Sequence, residues 1–343
     1  MDSNGNIWFA NSGNNSVTEL IKASNYAATT IYNGTTNFNS PQGVAIDNHN
    51  NIWIASPGNN SVTELTASSG YSAASAVNIS GGSTSFYSPR EIAIDGNDNI
   101  WIANPGSRNV TELTASSGYG SNSAVTISIS GSYLGNGIAV DGNGNIWVAA
   151  SSMMIELTKT SGYTAQSAIT ISGGSTGWII SSPNQIAIDE SNNIWTTDSG
   201  SGGYMGCWYN SSEDFNEYSG ITVLTDVSNY APTSALNIEG AGGNPNCNGY
   251  IYYNPAGVAA DGAGNIWVVN SGGNSSVVEL TKASSYETAS AAIINGSGST
   301  GLNNPQGVAV DASGNVWITS PGSNTIAELV GAAAPTPFSV PLK

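Results

Sequence analysis

Basic residues are nearly absent from this chain. Six lysines and arginines and one histidine stand against 23 aspartates and glutamates in 343 residues, a formal net charge of −17. A field of that sign repels nucleic-acid phosphates and anionic lipid, so neither is an expected partner. No apolar run approaches the ~20 residues of a membrane-spanning helix, so no transmembrane segment is expected. No segment keeps three- and four-residue apolar spacing for ten residues, which excludes amphipathic helices. The opening Met1-Asp-Ser-Asn-Gly-Asn6 has neither the basic region nor the apolar stretch of a secretory leader. It enters in mid-repeat, so the expectation is a removed leader, a natural start upstream, or a start at a strand. Charged residues make up only 8%, yet 39% is apolar and nine tryptophans are present, which is not the makeup of disorder. Ser, Thr, Asn and Gly supply the polar surface. Low lysine content, many Asn and Thr and a possible cystine pair suggest an extracellular, periplasmic or cell-surface protein.

What the chain does have is a repeat. Relatives of Asp141-Gly-Asn-Gly-Asn-Ile-Trp-Val-Ala149 begin at Asp2, Asp47, Asp95, Asp141, Asp189, Asp261 and Asp311. Self-similarity at this period marks a repeat architecture. Within one unit, Pro41 to Asp47 reads as a strand and Asn48 to Asn51 as its turn. Ile52 to Ala55 is the second strand, Ser61 to Leu65 the third, and Ala76 to Ile79 a weaker fourth. Four short strands per 45 to 50 residues make an antiparallel blade. The expected fold is all-β, a seven-bladed β-propeller in a single domain over 1–343. The first unit lacks an innermost strand and the last an obvious fourth. The tail segment Pro337-Phe-Ser-Val-Pro-Leu342 lies over Pro305-Gln-Gly-Val-Ala-Val310. It is therefore expected to close the ring as the innermost strand of the first blade, the rival being the outermost strand of the last.

The fifth unit departs from the pattern, with an insertion over 199–220 and a long loop over 239–253. In a four-stranded antiparallel blade the second-to-third turn and the link to the next blade emerge at the same end. Cys207 and Cys247 then share one face of one blade, and a disulfide between them is expected rather than two free thiols.

Residues that recur in every unit are read as scaffold. Trp8, Trp53, Trp101, Trp147, Trp195, Trp267 and Trp317 are expected to pack between blades, and the repeated aspartates to bind backbone N–H groups in turns. The third-strand glutamates Glu19, Glu64, Glu112, Glu156, Glu279 and Glu328 are expected on solvated faces. Positions that break the repeat are the candidates for function. Gln42, Arg90, Asn136, Asn184 and Gln306 start the inner strands and would ring the channel mouth with Asp198, offering paired hydrogen bonds to a polar ligand. Aromatics of the links and the insertion, Trp178, Tyr204, Trp208, Tyr209, Tyr250 and Tyr252 among them, suit stacking against sugars or peptides. Asp198, Glu213, Asp214 and Glu217 form a nonrepeating acidic set, weak candidates for holding calcium or, with Arg90, for acid–base work.

The pattern Pro-x-Gly-Val-Ala-Val-Asp-x-x-Gly-Asn-Ile-Trp-Val-Ala, followed by Asn-Ser-Val-Thr-Glu-Leu, resembles the NHL-repeat propellers and the related virginiamycin B lyase-like and gluconolactonase-like propellers over residues 2 to 330. The resemblance implies a propeller whose activity is set by its face, since these relatives include lyases, lactonases and binding scaffolds. For the lyase branches it implies histidines on the central face, whereas the sole histidine here, His49, falls in a first-to-second-strand turn at the opposite end. For the gluconolactonase-like branch it implies acids and amides around calcium, and Glu91 is the only glutamate in an innermost strand. The leading expectation is a binding propeller for a glycan or protein without dedicated catalysis. The alternatives are a lyase or hydrolase using carboxylates and Arg90, with calcium as candidate cofactor, and a self-assembling surface-layer or filament component.

Overall fold

The computed structural model describes residues 1–32, 38–129, 133–172, 180, 182–198, 220–226, 230, 236–239, 252, 254–273, 275–296 and 301–336. The protein is a seven-bladed all-β propeller of mostly four-stranded antiparallel blades. Blade three shows the plan: Ile92–Ile94, Ile100–Asn104, Asn109–Leu113 and Val125–Ser128 pair in sequence order from inner to outer strand. Blades one and seven are three-stranded among the described residues, the first lacking an inner strand and the last an outer one. Residues 337–343, on which the tail-closure expectation rests, lie outside the described residues. No helix among the described residues is long and apolar enough to cross a membrane.

Two compact units divide the chain, one built on Met1–Val148 and Glu156–Ile169, the other on Ala149–Ile155 and Thr170–Pro337. In both, the second strands form the core. Ile-Trp-Ile-Ala and its variants are buried at every position in blades two to six, because each such strand is covered by sheets on both faces.

At one end of each blade the repeated aspartate organises the first hairpin. In blade three, Asp95 Oδ1 accepts the N–H groups of Asn97 (2.8 Å) and Asn99 (3.0 Å). Its Oδ2 accepts Asn99 Nδ2 (2.9 Å) and Trp101 Nε1 (3.1 Å). Asn99 Oδ1 in turn accepts the Ala115 N–H at 3.1 Å, tying the hairpin to the end of the third strand. The same Trp-to-Asp bond recurs in all seven blades. A carboxylate is needed because only an ionised acid presents enough lone pairs for four donors at once.

A second repeated residue joins neighbours. After the third strand, a short 3₁₀ turn ends in a tyrosine with positive φ: Tyr71, Tyr119, Tyr163 and Tyr286. Each ring packs on the tryptophan of the preceding blade, with centroids 4.6 to 4.7 Å apart, in the pairs Trp8–Tyr71, Trp53–Tyr119, Trp101–Tyr163 and Trp195–Tyr286. The hydroxyls of Tyr119, Tyr163 and Tyr286 donate to the carbonyls of Asp98, Gly144 and Gly264, in the aspartate turns of their own blades. Each such tyrosine thus holds two blades at once. Blade seven has no tyrosine there, and its chain instead runs over the aspartate turns of blades six and seven. The Ala334 N–H donates to Asp261 Oδ2 (3.1 Å) and the Ala333 N–H to the Gly314 carbonyl (3.0 Å).

The third-strand glutamates differ from expectation. Glu19 and Glu156 are buried and Glu64, Glu112 and Glu279 half-buried, each opposite or beside the scaffold tryptophan and near the repeated aspartate. Burial, and after it the Asp95 carboxylate, pushes Glu112 up to about 7; burial and Asp141 do the same for Glu156.

One expectation is corrected. No disulfide joins Cys207 and Cys247, the only two cysteines of the chain, and both lie outside the described residues. Sharing one end of a blade is necessary for such a bond and not sufficient, since the Cα atoms must also come within about 7 Å with convergent Cβ directions.

Candidate functional site

The opposite end of each blade carries the second-to-third-strand turn and the incoming link. Its plan is clearest where the repeat is kept. In blade two, the Gly58 N–H donates to the Asn39 carbonyl (2.9 Å), and in blade seven the Gly322 N–H donates to that of Asn303 (3.0 Å). The turn closes on a residue in the left-handed region, Asn15, Asn60 or Asn324 in blades one, two and seven, with φ of 56°, 53° and 52°. Asparagine tolerates that conformation. Its side chain also works: Asn15 Oδ1 accepts the Ser40 N–H (2.7 Å) and Asn60 Oδ1 the Ser88 N–H (2.8 Å), each tethering the next link.

Inner strands meet closely just below this end. A side chain at Gly43 would collide with the Arg90 carbonyl oxygen, and one at Gly257 with that of Gln306, so glycine lets one blade's inner strand lie against the next. Gln42 and Arg90 are thereby brought onto adjoining strands of blades two and three, and Asn136 lies in the inner strand of blade four. In the second unit Gln306 adjoins Ala256 and Gly257 of blade six. Asn184 follows Pro183, which pairs with Asp198 across blade five. Gln42 and Gln306 are exposed, Arg90, Asn136 and Asn184 half-buried, and Asp198 is buried at the end of its strand.

The aromatics divide. Phe38 and Phe86 are buried, and Tyr252 is fully enclosed against Trp195, Ile221 and Ile238, so these pin links instead of facing solvent. Tyr87 and Tyr133 remain 59% and 64% exposed. Trp178, Tyr204, Trp208, Tyr209, Tyr250, Glu213, Asp214 and Glu217 lie outside the described residues. Asp198 is therefore the described member of the proposed acidic set, and no group of three or more metal-binding side chains occurs among the described residues. His49 sits in the Asp47 turn, its Nδ1 3.4 Å from Asp98 Oδ2, at the aspartate end.

Blade three departs from this plan at four positions. Where blades two and seven hold asparagine it has Tyr87 and Arg108, and where they read Gln-Gly it reads Arg90-Glu91. These are the chain's two arginines. Arg108 sits at φ 55°, a conformation unfavourable to a long side chain, and its guanidinium lies 3.8 Å from the centre of the Tyr133 ring. Arg90 Nε is buried without a hydrogen-bond partner among the described residues, and so is Asn104 Oδ1 at the end of the paired strand. Aligning the units would have exposed these substitutions, because a cation replaces an amide at two equivalent positions of one blade.

No protein-family model and no curated protein matches the chain. Solved structures do. A streptogramin B lyase structure aligns at 15% identity and TM-score 0.68, over 95% of this chain and 90% of that one. A catalytically inactive virginiamycin B lyase from Staphylococcus aureus with quinupristin aligns at 13% identity and TM-score 0.61, over 88% and 85%. A chain of a nidogen/laminin complex structure aligns at 15% identity and TM-score 0.52, over 84% and 93%. At the level of fold, this seven-bladed propeller is related to the streptogramin B and virginiamycin B lyase structures, and the same fold also serves in a binding complex.

Proposed function

We propose that this propeller is extracellular, periplasmic or cell-surface and recognises a polar ligand, a glycan or the surface of a partner protein, through the loop ends of its blades. The observation that carries this reading is that the two ends of the blades obey different rules. The aspartate end repeats one hydrogen-bond pattern throughout, while the loop end varies its donors at equivalent positions: Gln42, Arg90, Asn184 and Gln306. Variation at one end of a uniform scaffold is how a fold acquires a site. Binding to an immobilised panel of neutral and acidic glycans tests it. Retention of at least one glycan, weakened by substitutions at these positions, is the expected result; retention of none, with no effect of loop-end substitutions on any interaction, overturns it.

A second reading is favoured by the comparisons, in which the lyase structures have higher TM-scores than the nidogen/laminin chain. In it the chain is a lyase or hydrolase that uses Arg90 to stabilise developing negative charge and carboxylates as acid and base, with calcium as the candidate cofactor. Incubation of retained glycans, and of quinupristin, followed by mass spectrometry separates the readings. New products support catalysis, and unaltered ligand supports binding alone.

A further inference from the structure

We infer that the loop end of blade three is an anion-recognising subsite, built by Arg90 and Arg108 between two exposed tyrosines, that takes the carboxylate of an acidic glycan, a polyuronate. The inference deepens the recognition reading above and rests on it.

Four substitutions within one blade carry the argument. Tyr87, Arg90, Glu91 and Arg108 replace Asn39, Gln42, Gly43 and Asn60 of blade two. The change at Arg108 gives up something the scaffold uses elsewhere. Arg108 occupies a left-handed position without asparagine's tolerance for it, and cannot offer the acceptor with which Asn60 tethers the next link. Local rules broken together at one place mark a site more than a scaffold. Both arginines of a chain with net charge −17 have gathered there. The three lysines of the repeats, Lys22, Lys159 and Lys282, lie instead against Gly5, Gly144 and Gly264 of the aspartate turns.

The geometry fits one chemistry. The Arg90 N–H donates to the Ala103 carbonyl, and Asn104 next to it pairs with Asn109, the neighbour of Arg108. The two arginines thus stand two strand spacings apart, about 10 Å at the backbone. Arg90 is half-buried and Arg108 exposed, and a guanidinium matches a planar carboxylate. Tyr133 beneath Arg108 and Tyr87 against Gly106 flank this strip with exposed rings. Stacking surfaces suit the apolar faces of pyranose rings, while the cations distinguish a uronate from a neutral hexose. The chain's overall negative charge does not forbid such a ligand, because at 0.15 M salt fields fade beyond about 8 Å and contact pairs decide.

The test is affinity electrophoresis and calorimetry at pH 5 in 0.15 M salt with polygalacturonate, its fully methyl-esterified form, dextran sulfate and poly-glutamate. The proteins are the full chain and the variants Arg90→Gln and Arg108→Asn. Arg108→Asn restores the residue of blades one, two and seven, so it is expected to unfold at no lower temperature than the parent. Polygalacturonate is expected to be retained, with at least tenfold loss on esterification and in each variant. Equal retention of the esterified polymer, with both variants unaffected, would sink the anion subsite while leaving recognition by the loop ends standing. Preference for dextran sulfate or poly-glutamate would overturn the uronate assignment, and failure to retain any of the four polymers would overturn the subsite.

Discussion

The two ends of blade three make the same strands serve opposite purposes. At one end Asp95, Asn99 and Trp101 repeat a pattern present seven times, every donor answered, every ring covered. At the other, Tyr87, Arg90 and Arg108 abandon the residues that tether links in neighbouring blades, leaving a buried guanidinium nitrogen without a partner among the described residues. Uniformity marks the part that holds the molecule together, and local exception marks the part available for recognition. A single blade therefore permits both to be measured in one background.

The comparison breaks most visibly at the aspartate end. Trp101→Ala empties a fully buried site and is expected to cost about 3 to 5 kcal/mol in chemical denaturation. Asp95→Ala leaves four donors unanswered and should cost about 3 kcal/mol by the same measurement. Tyr119→Phe keeps the ring on Trp53 but loses its bond to the Asp98 carbonyl, an expected loss of about 1 kcal/mol. At the loop end, Tyr87→Ser should alter stability by no more than about 0.5 kcal/mol, since the ring is mostly exposed, while weakening glycan retention. If Tyr87→Ser proved as damaging as Trp101→Ala, the division between the ends would be lost.

Acidity sharpens the same contrast without mutation. Glu112 and Glu156 titrate near 7 in the fold against an ordinary 4.5, so between those values the native state keeps protons that the unfolded chain has released. Their contribution is greatest below the unfolded value and declines as pH rises through 4.5 to 7, after which it levels off. Asp311, held low by hydrogen bonds from Ser313, Asn315 and Trp317 that outweigh its burial, acts in reverse: its stabilisation is lost as pH falls below its ordinary 3.8. Thermal unfolding should therefore occur at higher temperature near pH 5 than at pH 7.5, and Glu112→Gln should flatten that dependence. A melting temperature that rises steadily from pH 5 to 7.5 would contradict the assignment.

The fold was legible because its signals are local and repeated: an aspartate, an asparagine four residues on and a tryptophan six residues on. The bridging tyrosines Tyr71, Tyr119, Tyr163 and Tyr286 sit at one repeat position, but a residue in a turn reads as punctuation until its ring is seen against the previous blade. Burial of the third-strand glutamates was hidden for a similar reason, since alternation along one strand says nothing about the sheet that covers it. At the loop ends an insertion such as that of the fifth unit is conspicuous in sequence, whereas the exchange of Asn60 for Arg108 acquires meaning only once its φ and its contact with Tyr133 are known. The cysteine pairing failed because topology places two loops at one end without setting the distance between them.

The indole N–H of each scaffold tryptophan, closed off by an aspartate oxygen, gives every blade its own spectroscopic reporter. Seven downfield proton resonances should exchange slowly with deuterium, each at a rate set by the opening of its own blade. Identical rates would describe a molecule that opens all at once; a graded series would rank the blades in order of local unfolding and show how far a disturbance at blade three travels.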